Sequence, residues 1–292
     1  MRLALIIGFI AQCALLQAST LIDGLYYDLN MSTRTATVTY GTDNYASLPA
    51  NVKIPESVEY NGVTYSVTKI ANRAFANCKY LESISIPGTV VQIGISSTNP
   101  SYLPFYNCTT LKNVKFEDGE QGLKLGAFYS EDDFNSSSKG LFSYCPLEEV
   151  YIGRNISYQD YSSSNTFNKK PWYYGYSAFY NQPKLAKVTI SPAVTAIPIF
   201  LFRNCGALSD VDIQGQLVEI PAYSFEGCNI SALTLPNSVK IINSYAFCAN
   251  RISALTLPNS VKFIGPYAFC ANRVSSITIP NSVTYIDSYC FE

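Results

Sequence analysis

The chain has 292 residues, 48% hydrophobic and only 14% charged, with 20 Lys and Arg against 21 Asp and Glu. That balance offers no basic footprint for nucleic acid, and the apolar fraction is enough to fill a core, which excludes global disorder. Histidine is absent, which removes the commonest general base, Ser-His and Cys-His nucleophile pairs, and His-ligated zinc.

Residues 1–18, MRLALIIGFIAQCALLQA, place Arg2 before an apolar stretch from Leu3 to about Leu16, and Ala18-Ser19 offers a small residue for cleavage. This is the layout of a secretory signal peptide, so the mature chain is expected to be secreted or held at the cell surface. Gln12 before Cys13 is a poor fit to a lipid-attachment box. No other segment approaches the roughly 18 apolar residues of a membrane span, so the mature chain is expected to have none. Residues 19–49 follow as an N-terminal cap. GLYYDLNMSTRTATVTY (24–40) alternates around a polar break at Asn30–Thr33 and reads as a β-hairpin that covers an open sheet end. VEYNGVTYSVTKI (58–70) reads as a second hairpin around Asn61-Gly62.

From residue 50 onward the chain is periodic. An apolar-x-apolar triplet begins at Val52, Ile84, Val114, Val150, Val188, Val211, Leu233, Leu255 and Ile277. A phenylalanine follows each: Phe75, Phe105, Phe142, Phe179, Phe202, Phe225, Phe247, Phe269 and Phe291. The step from each Phe to the next triplet is 8 or 9 residues. The step from triplet to Phe is 14 in the last five units but 23, 21, 28 and 29 in the first four. The extra residues fall near 58–68, 94–103, 119–140 and 153–176, always in the same segment of the unit, which predicts insertions on one side of the molecule.

In Leu233-Thr234-Leu235 alternate side chains face opposite ways, so both leucines point inward and Thr234 points out. Pro236-Asn237 ends the strand, Val239 and Ile242 turn inward, and Ala246-Phe247 closes the coil with a large apolar plug. A unit of 22 residues cannot bury that face alone, so units must stack, with parallel strands about 4.8 Å apart. The expected fold is a repeat solenoid over 50–292 with one parallel β-sheet and an N-terminal β-hairpin cap.

The segments LPNSVKIINSYAFCAN (235–250), LPNSVKFIGPYAFCAN (257–272) and IPNSVTYIDSYCF (279–291) resemble the leucine-rich repeats of the BspA-like family of bacterial cell-surface proteins. IPESV (54–58) and IANRAFANCKYLESI (70–84) are weaker copies. The resemblance implies a right-handed leucine-rich-repeat coil, with adhesion or binding rather than catalysis as the usual role.

Nine cysteines in an exported chain raise the question of disulfides. Five of them (Cys78, Cys108, Cys145, Cys205 and Cys228) sit three residues after the unit's Phe, where other units place Gln182, Asn250 and Asn272. That interchange favours an inward turn position bonding local backbone, or a small buried thiol, over a cross-link. The wide spacing, without C-x-x-C pairs, argues against zinc, and no other metal or cofactor motif is present. Tyr223, Tyr245, Tyr267 and Tyr289 share one position in four units and stack into an aromatic column, either as packing or as a ligand platform.

The insertion SYQDYSSSNTFNKKPWYYGY (157–176) gathers six Tyr or Trp around a basic pair. Rings of that kind give rigid contact area at low entropy cost. Tyr158, Tyr161, Trp172, Tyr173, Tyr174 and Tyr176, with Lys169 and Lys170 at the rim, are the candidate ligand contacts. The opposing reading folds the same rings onto the solenoid as a satellite core. The expected function is an adhesin-like binding module for a host or matrix protein, with a glycan-binding surface protein serving nutrient capture as the alternative. No nucleic acid partner is expected, and no constellation points to an enzyme.

Overall fold

The computed structural model describes residues 19–41, 45, 48–95, 99–126, 140–158 and 178–292. The segment expected to be a signal peptide, residues 1–18, lies outside them. Three strands open the described chain: β1 (Thr20–Ile22), β2 (Leu25–Asn30) and β3 (Thr35–Thr39). They pair antiparallel in sequence. At the β2–β3 turn the Asn30 side chain accepts from the Ser32 and Thr33 amides, a local cap that Asn provides readily.

Coil one holds β4 (Asn51–Lys53), β5 (Ser57–Tyr60) and β6 (Val63–Ile70). β5 and β6 form the hairpin expected around Asn61-Gly62, whose φ values of 51° and 73° suit the tight turn that Asn-Gly favours. Coil two holds β7 (Ser83–Ile86), β8 (Gln92–Ile93) and a short 3-10 turn at Pro100–Tyr102. Coil three holds β9 (Asn113–Phe116) and β10 (Leu123–Leu125), and coil four β11 (Glu149–Ile152) and β12 (Ile156–Tyr158). Coil five contributes β13 (Lys187–Ile190), and coil six β14 (Asp210–Ile213) and β15 (Glu219–Ile220). Coil seven holds β16 (Ala232–Thr234) and β17 (Ile241–Ile242), and coil eight β18 (Ala254–Thr256) and β19 (Phe263–Ile264). Coil nine adds β20 (Tyr285–Ile286), and its triplet meets coil eight through a Thr256–Thr278 bridge.

Two parallel rows result where the repeat predicted one. The triplets form the first row, β4-β7-β9-β11-β13-β14, paired in register so that Val150 sits opposite Val114 and Val188. A second row runs β6-β8-β10-β12 and begins on β3 of the cap, which pairs parallel to β6 across an irregularity at Ala36/Thr37. The cap therefore covers the end of the second row.

Neither row is continuous. The second stops at β12 and resumes as β15-β17-β19-β20. Proline explains the gap. In regular coils the amide four residues before the Phe donates to the coil below, as Asn243 does to Ile220 (3.0 Å) and Gly265 to Ile242 (2.7 Å). Coils five and six place Pro198 and Pro221 there, and proline has no N–H to give. The first row breaks between β14 and β16 and resumes as β16-β18.

Of the extra segments, the β5–β6 hairpin lies between the two rows, and those of coils two, three and four fall in part or largely outside the described residues.

A column of rings runs through a core otherwise filled by the inward Val, Ile and Leu of both rows. Phe75, Phe105, Phe142, Phe179, Phe202, Phe225, Phe247 and Phe269 are buried and stack face to face, with centroids 4.9–5.6 Å apart. Tyr45 begins the column on Phe75 at 5.3 Å, and Phe291, 37% exposed, ends it. Each Phe is flanked two residues later by a left-handed residue, for example Asn77, Asn107, Asn181, Asn204, Gly227, Ala249 and Ala271.

Candidate binding surfaces

Of the aromatic insertion, only Tyr158 falls among the described residues. Its ring is 4% exposed, and its hydroxyl donates to the Ile199 carbonyl at 3.2 Å. The register explains this. Tyr158 pairs with Leu125, which pairs with Ile93, itself opposite Ile70, so it fills the inward position of the second row. Tyr158 is a core residue with no ring face to present. Tyr161, Lys169, Lys170, Trp172, Tyr173, Tyr174 and Tyr176 lie outside the described residues.

The outward face of the first row is a second candidate surface, carried by residues outside the apolar period. The middle residue of each triplet runs Lys53, Ser85, Lys115, Tyr151, Thr189, Asp212, Thr234, Thr256 and Thr278. The residue before each triplet runs Asn51, Ser83, Asn113, Glu149, Lys187, Asp210, Ala232, Ala254 and Ser276. Both positions vary through the first six coils and become small and uncharged in the last three. That contrast was available in the sequence as the filling of the x position, which a search for apolar spacing discards.

Cross-coil contacts hold the variable part of this face. Lys53 pairs with Glu117 at 3.5 Å, and Ser85 Oγ donates to the same carboxylate at 2.7 Å. Lys187 pairs with Glu149 at 3.0 Å, and the Lys115 ammonium lies 5.3 Å over the Tyr151 ring. Both the Tyr151 hydroxyl (3.1 Å) and Ser191 Oγ (2.6 Å) donate to Asp118. A groove of about 490 Å³ runs over coils one to four between Asn51, Lys53, Ser85, Asn113, Lys115 and Tyr151. In coil four Arg154 is buried and reaches past coil three to donate to the Pro87 carbonyl at 2.8 Å, and burial lowers its pKa to about 10.

The tyrosine column forms as expected. It starts on Phe200 and runs through Tyr223, Tyr245, Tyr267 and Tyr289 with centroids 4.7–5.0 Å apart. All five residues are left-handed, with φ of 56–60°. The faces of Tyr223, Tyr245 and Tyr267 are covered by their neighbours, so they show ring edges and hydroxyls to solvent. Arg203 closes the start of the column, pairing with Glu226 and lying 5.1 Å over Tyr223.

The cysteine position is a donor position. The thiols of Cys108, Cys145, Cys205 and Cys228 donate to the carbonyls of Phe75, Phe105, Phe179 and Phe202 at 2.9–3.2 Å. Gln182, Asn250 and Asn272 do the same through their amides, to Phe142, Phe225 and Phe247. Every described cysteine is a free thiol. Burial pushes Cys205 up to about 12, so it holds a proton rather than a nucleophilic charge. Among the described residues, no group of three or more His, Cys, Asp or Glu could hold a metal ion, and no helix is long and apolar enough to cross a membrane.

A profile described as the BspA type leucine rich repeat region matches the chain in six copies, over residues 50–170 and 173–292. Over 93% of its length the chain is similar to 55% of a leucine rich cell surface protein from Faecalibacterium prausnitzii, at 25% identity and a TM-score of 0.47. Over 91% it is similar to 60% of a leucine-rich repeat protein from Bacteroides ovatus, at 20% identity and a TM-score of 0.49. Over 88% it is similar to 91% of the T. pallidum leucine rich repeat protein, at 19% identity and a TM-score of 0.42. The chain thus spans less than two thirds of the first two of these proteins. No curated protein matches it.

Proposed function

This chain belongs to the BspA type leucine rich repeat family, and from that premise we propose that it is an exported cell-surface module that binds a protein ligand rather than transforming a substrate. The observation that carries this reading is the first-row face. Its outward residues include Lys, Glu, Asp and Tyr in coils one to six and are only Thr, Ala and Ser in coils seven to nine. Stacking needs only the inward residues, so variety on the outward face is not required by the fold. Charged and aromatic groups there are already held in place by cross-coil contacts, which lowers the ordering cost of binding. Six strands at about 4.8 Å spacing span roughly 24 Å, a length suited to a protein interface of ordinary size.

Export rests on the layout of residues 1–18, with the family's association with bacterial cell surfaces in support. The aromatic insertion contributes a second proposed contact through Tyr161, Trp172, Tyr173, Tyr174 and Tyr176, with Lys169 and Lys170 at its rim. Glycan capture has less support. Sugars stack on open ring faces, and here Lys115 lies over Tyr151 while the column rings cover one another.

The test is a screen of purified host-surface and matrix proteins run beside a glycan array. Capture of a protein that competes away when the first-row face is blocked supports the reading. Capture of glycans alone overturns it.

A further inference from the structure

The eight described thiols sort by their place in the coil. Cys108, Cys145, Cys205 and Cys228 are buried and occupied as donors to phenylalanine carbonyls. Cys78 fills the same position in coil one, and Cys290 is buried where Ala246 and Ala268 sit in the coils before it. Cys248 and Cys270 differ. Each directly follows its coil's phenylalanine, so the two share one position in consecutive coils. Cys248 is 8% exposed, and Cys270 is half-buried and open to solvent.

These two residues occupy equivalent places in stacked coils. The Phe247 amide donates to the Ala268 carbonyl at 2.9 Å, and the Ala249 amide to the carbonyl of Cys270 itself at 2.8 Å. The rings on either side of the pair fix the local separation. Tyr245 and Tyr267 stack at 4.7 Å, and Phe247 and Phe269 at 5.5 Å. A disulfide accepts Cα separations of about 4.4–6.8 Å, a range that contains the step of roughly 4.8 Å between parallel strands of stacked coils. We propose that Cys248 and Cys270 are a disulfide-forming pair that staples coil seven to coil eight when the protein meets a small disulfide oxidant such as glutathione disulfide.

The chemistry balances as thiol–disulfide exchange. The Cys270 thiol loses its proton to solvent, and its sulfur attacks one sulfur of the oxidant. An S–S bond forms to Cys270 as one glutathione thiolate leaves. The Cys248 thiol then loses its proton, and its sulfur attacks Cys270 Sγ. The intramolecular bond forms, and the second glutathione leaves. Two protein thiols are oxidised and one glutathione disulfide is reduced to two thiols. Burial, and then the neighbouring Cys270, pushes the Cys248 thiol up to about 12, which disfavours it as the first attacker and leaves that step to the more exposed Cys270. The bond closes a loop of one repeat and ties coil seven to coil eight, adding a covalent link to the neighbour contacts that hold a solenoid together.

The test treats the folded full chain with glutathione disulfide, alkylates the remaining thiols after unfolding, and maps the digest by mass. The expected result is one dominant cross-linked pair, Cys248 with Cys270, lighter by about 2 Da than the sum of its peptides, with the other described cysteines alkylated. Cys248→Ser should trap a glutathione adduct on Cys270, and Cys270→Ser should leave Cys248 unmodified. Equal cross-linking of Cys205 with Cys228 or of Cys108 with Cys145 overturns the proposal. So does wild-type protein that stops at a glutathione adduct or stays fully reduced.

Discussion

Asn250 donates its side-chain amide to the carbonyl of Phe225, 2.7 Å away in the preceding coil. The same side chain donates to Phe247 and Cys248 in its own coil and accepts from the Ile230 amide. One buried residue thus ties two turns together beside the phenylalanine column, and Cys, Gln and Asn alternate in this role along the solenoid because each supplies an inward donor.

Asn250→Ala should therefore destabilise the protein by about 1–3 kcal/mol, the cost of leaving buried backbone groups without partners. Asn250→Cys should lose less, because a thiol makes the Phe carbonyl bond elsewhere in the chain. Urea unfolding checks both. Equal losses for the two variants would mean that the position acts by volume alone.

Phe247→Ala should cost about 3–5 kcal/mol, since the ring is buried between Phe225 and Phe269. Tyr245→Ala, half-buried beside it, should cost about 0.5–1.5 kcal/mol from the lost stack. Thermal melts in which both variants fall equally would contradict a core column with a separate surface column.

Ala249 and Ala271 are exposed and left-handed, with φ of 53° and 54°, where coil six places Gly227 at 68°. Each Ala→Gly change should stabilise by about 0.5–1 kcal/mol, because relief of the left-handed strain exceeds the added unfolded-state entropy. Chemical denaturation that shows a loss at both sites would mean that these turns carry no strain.

Burial raises the folded pKa of Cys205 to about 12 and of Cys228 well above the ordinary thiol value. Above about pH 8.5 the unfolded thiols release protons that the folded ones keep. Stability is fully present below that pH and falls as pH rises toward 12, by about 1.4 kcal/mol per pH unit for each thiol. Cys205→Ser, which keeps a donor but does not ionise, should flatten the alkaline slope by one such contribution. An unchanged slope would place the thiol in contact with solvent.

The period, the inward triplets and the phenylalanine column were legible because large apolar residues repeat at nearly fixed steps. The second row was not. Its signal is a pair of residues, and its distance from the triplet drifts from seven (Leu235 to Ile242) to nine (Phe116 to Leu125) and six (Ile152 to Tyr158). Tyr158 adjoins the aromatic insertion in sequence, whereas register places it opposite Leu125. The breaks needed one fact that the spacing hides: Pro198 and Pro221 stand where the ladder requires an amide. The first-row face was missed because its information lies in residues that do not repeat.

The most direct test of the binding account compares three variants against the captured protein ligand: Lys115→Glu with Tyr151→Ala on the first-row face, Trp172→Ala with Tyr174→Ala in the insertion, and Thr234→Ala with Thr256→Ala on the uniform coils. The account predicts that the first double variant loses at least tenfold in affinity with its melting curve almost unchanged, about 1.4 kcal/mol of binding, while the third binds as wild type. Full binding by the Lys115→Glu, Tyr151→Ala protein would contradict it.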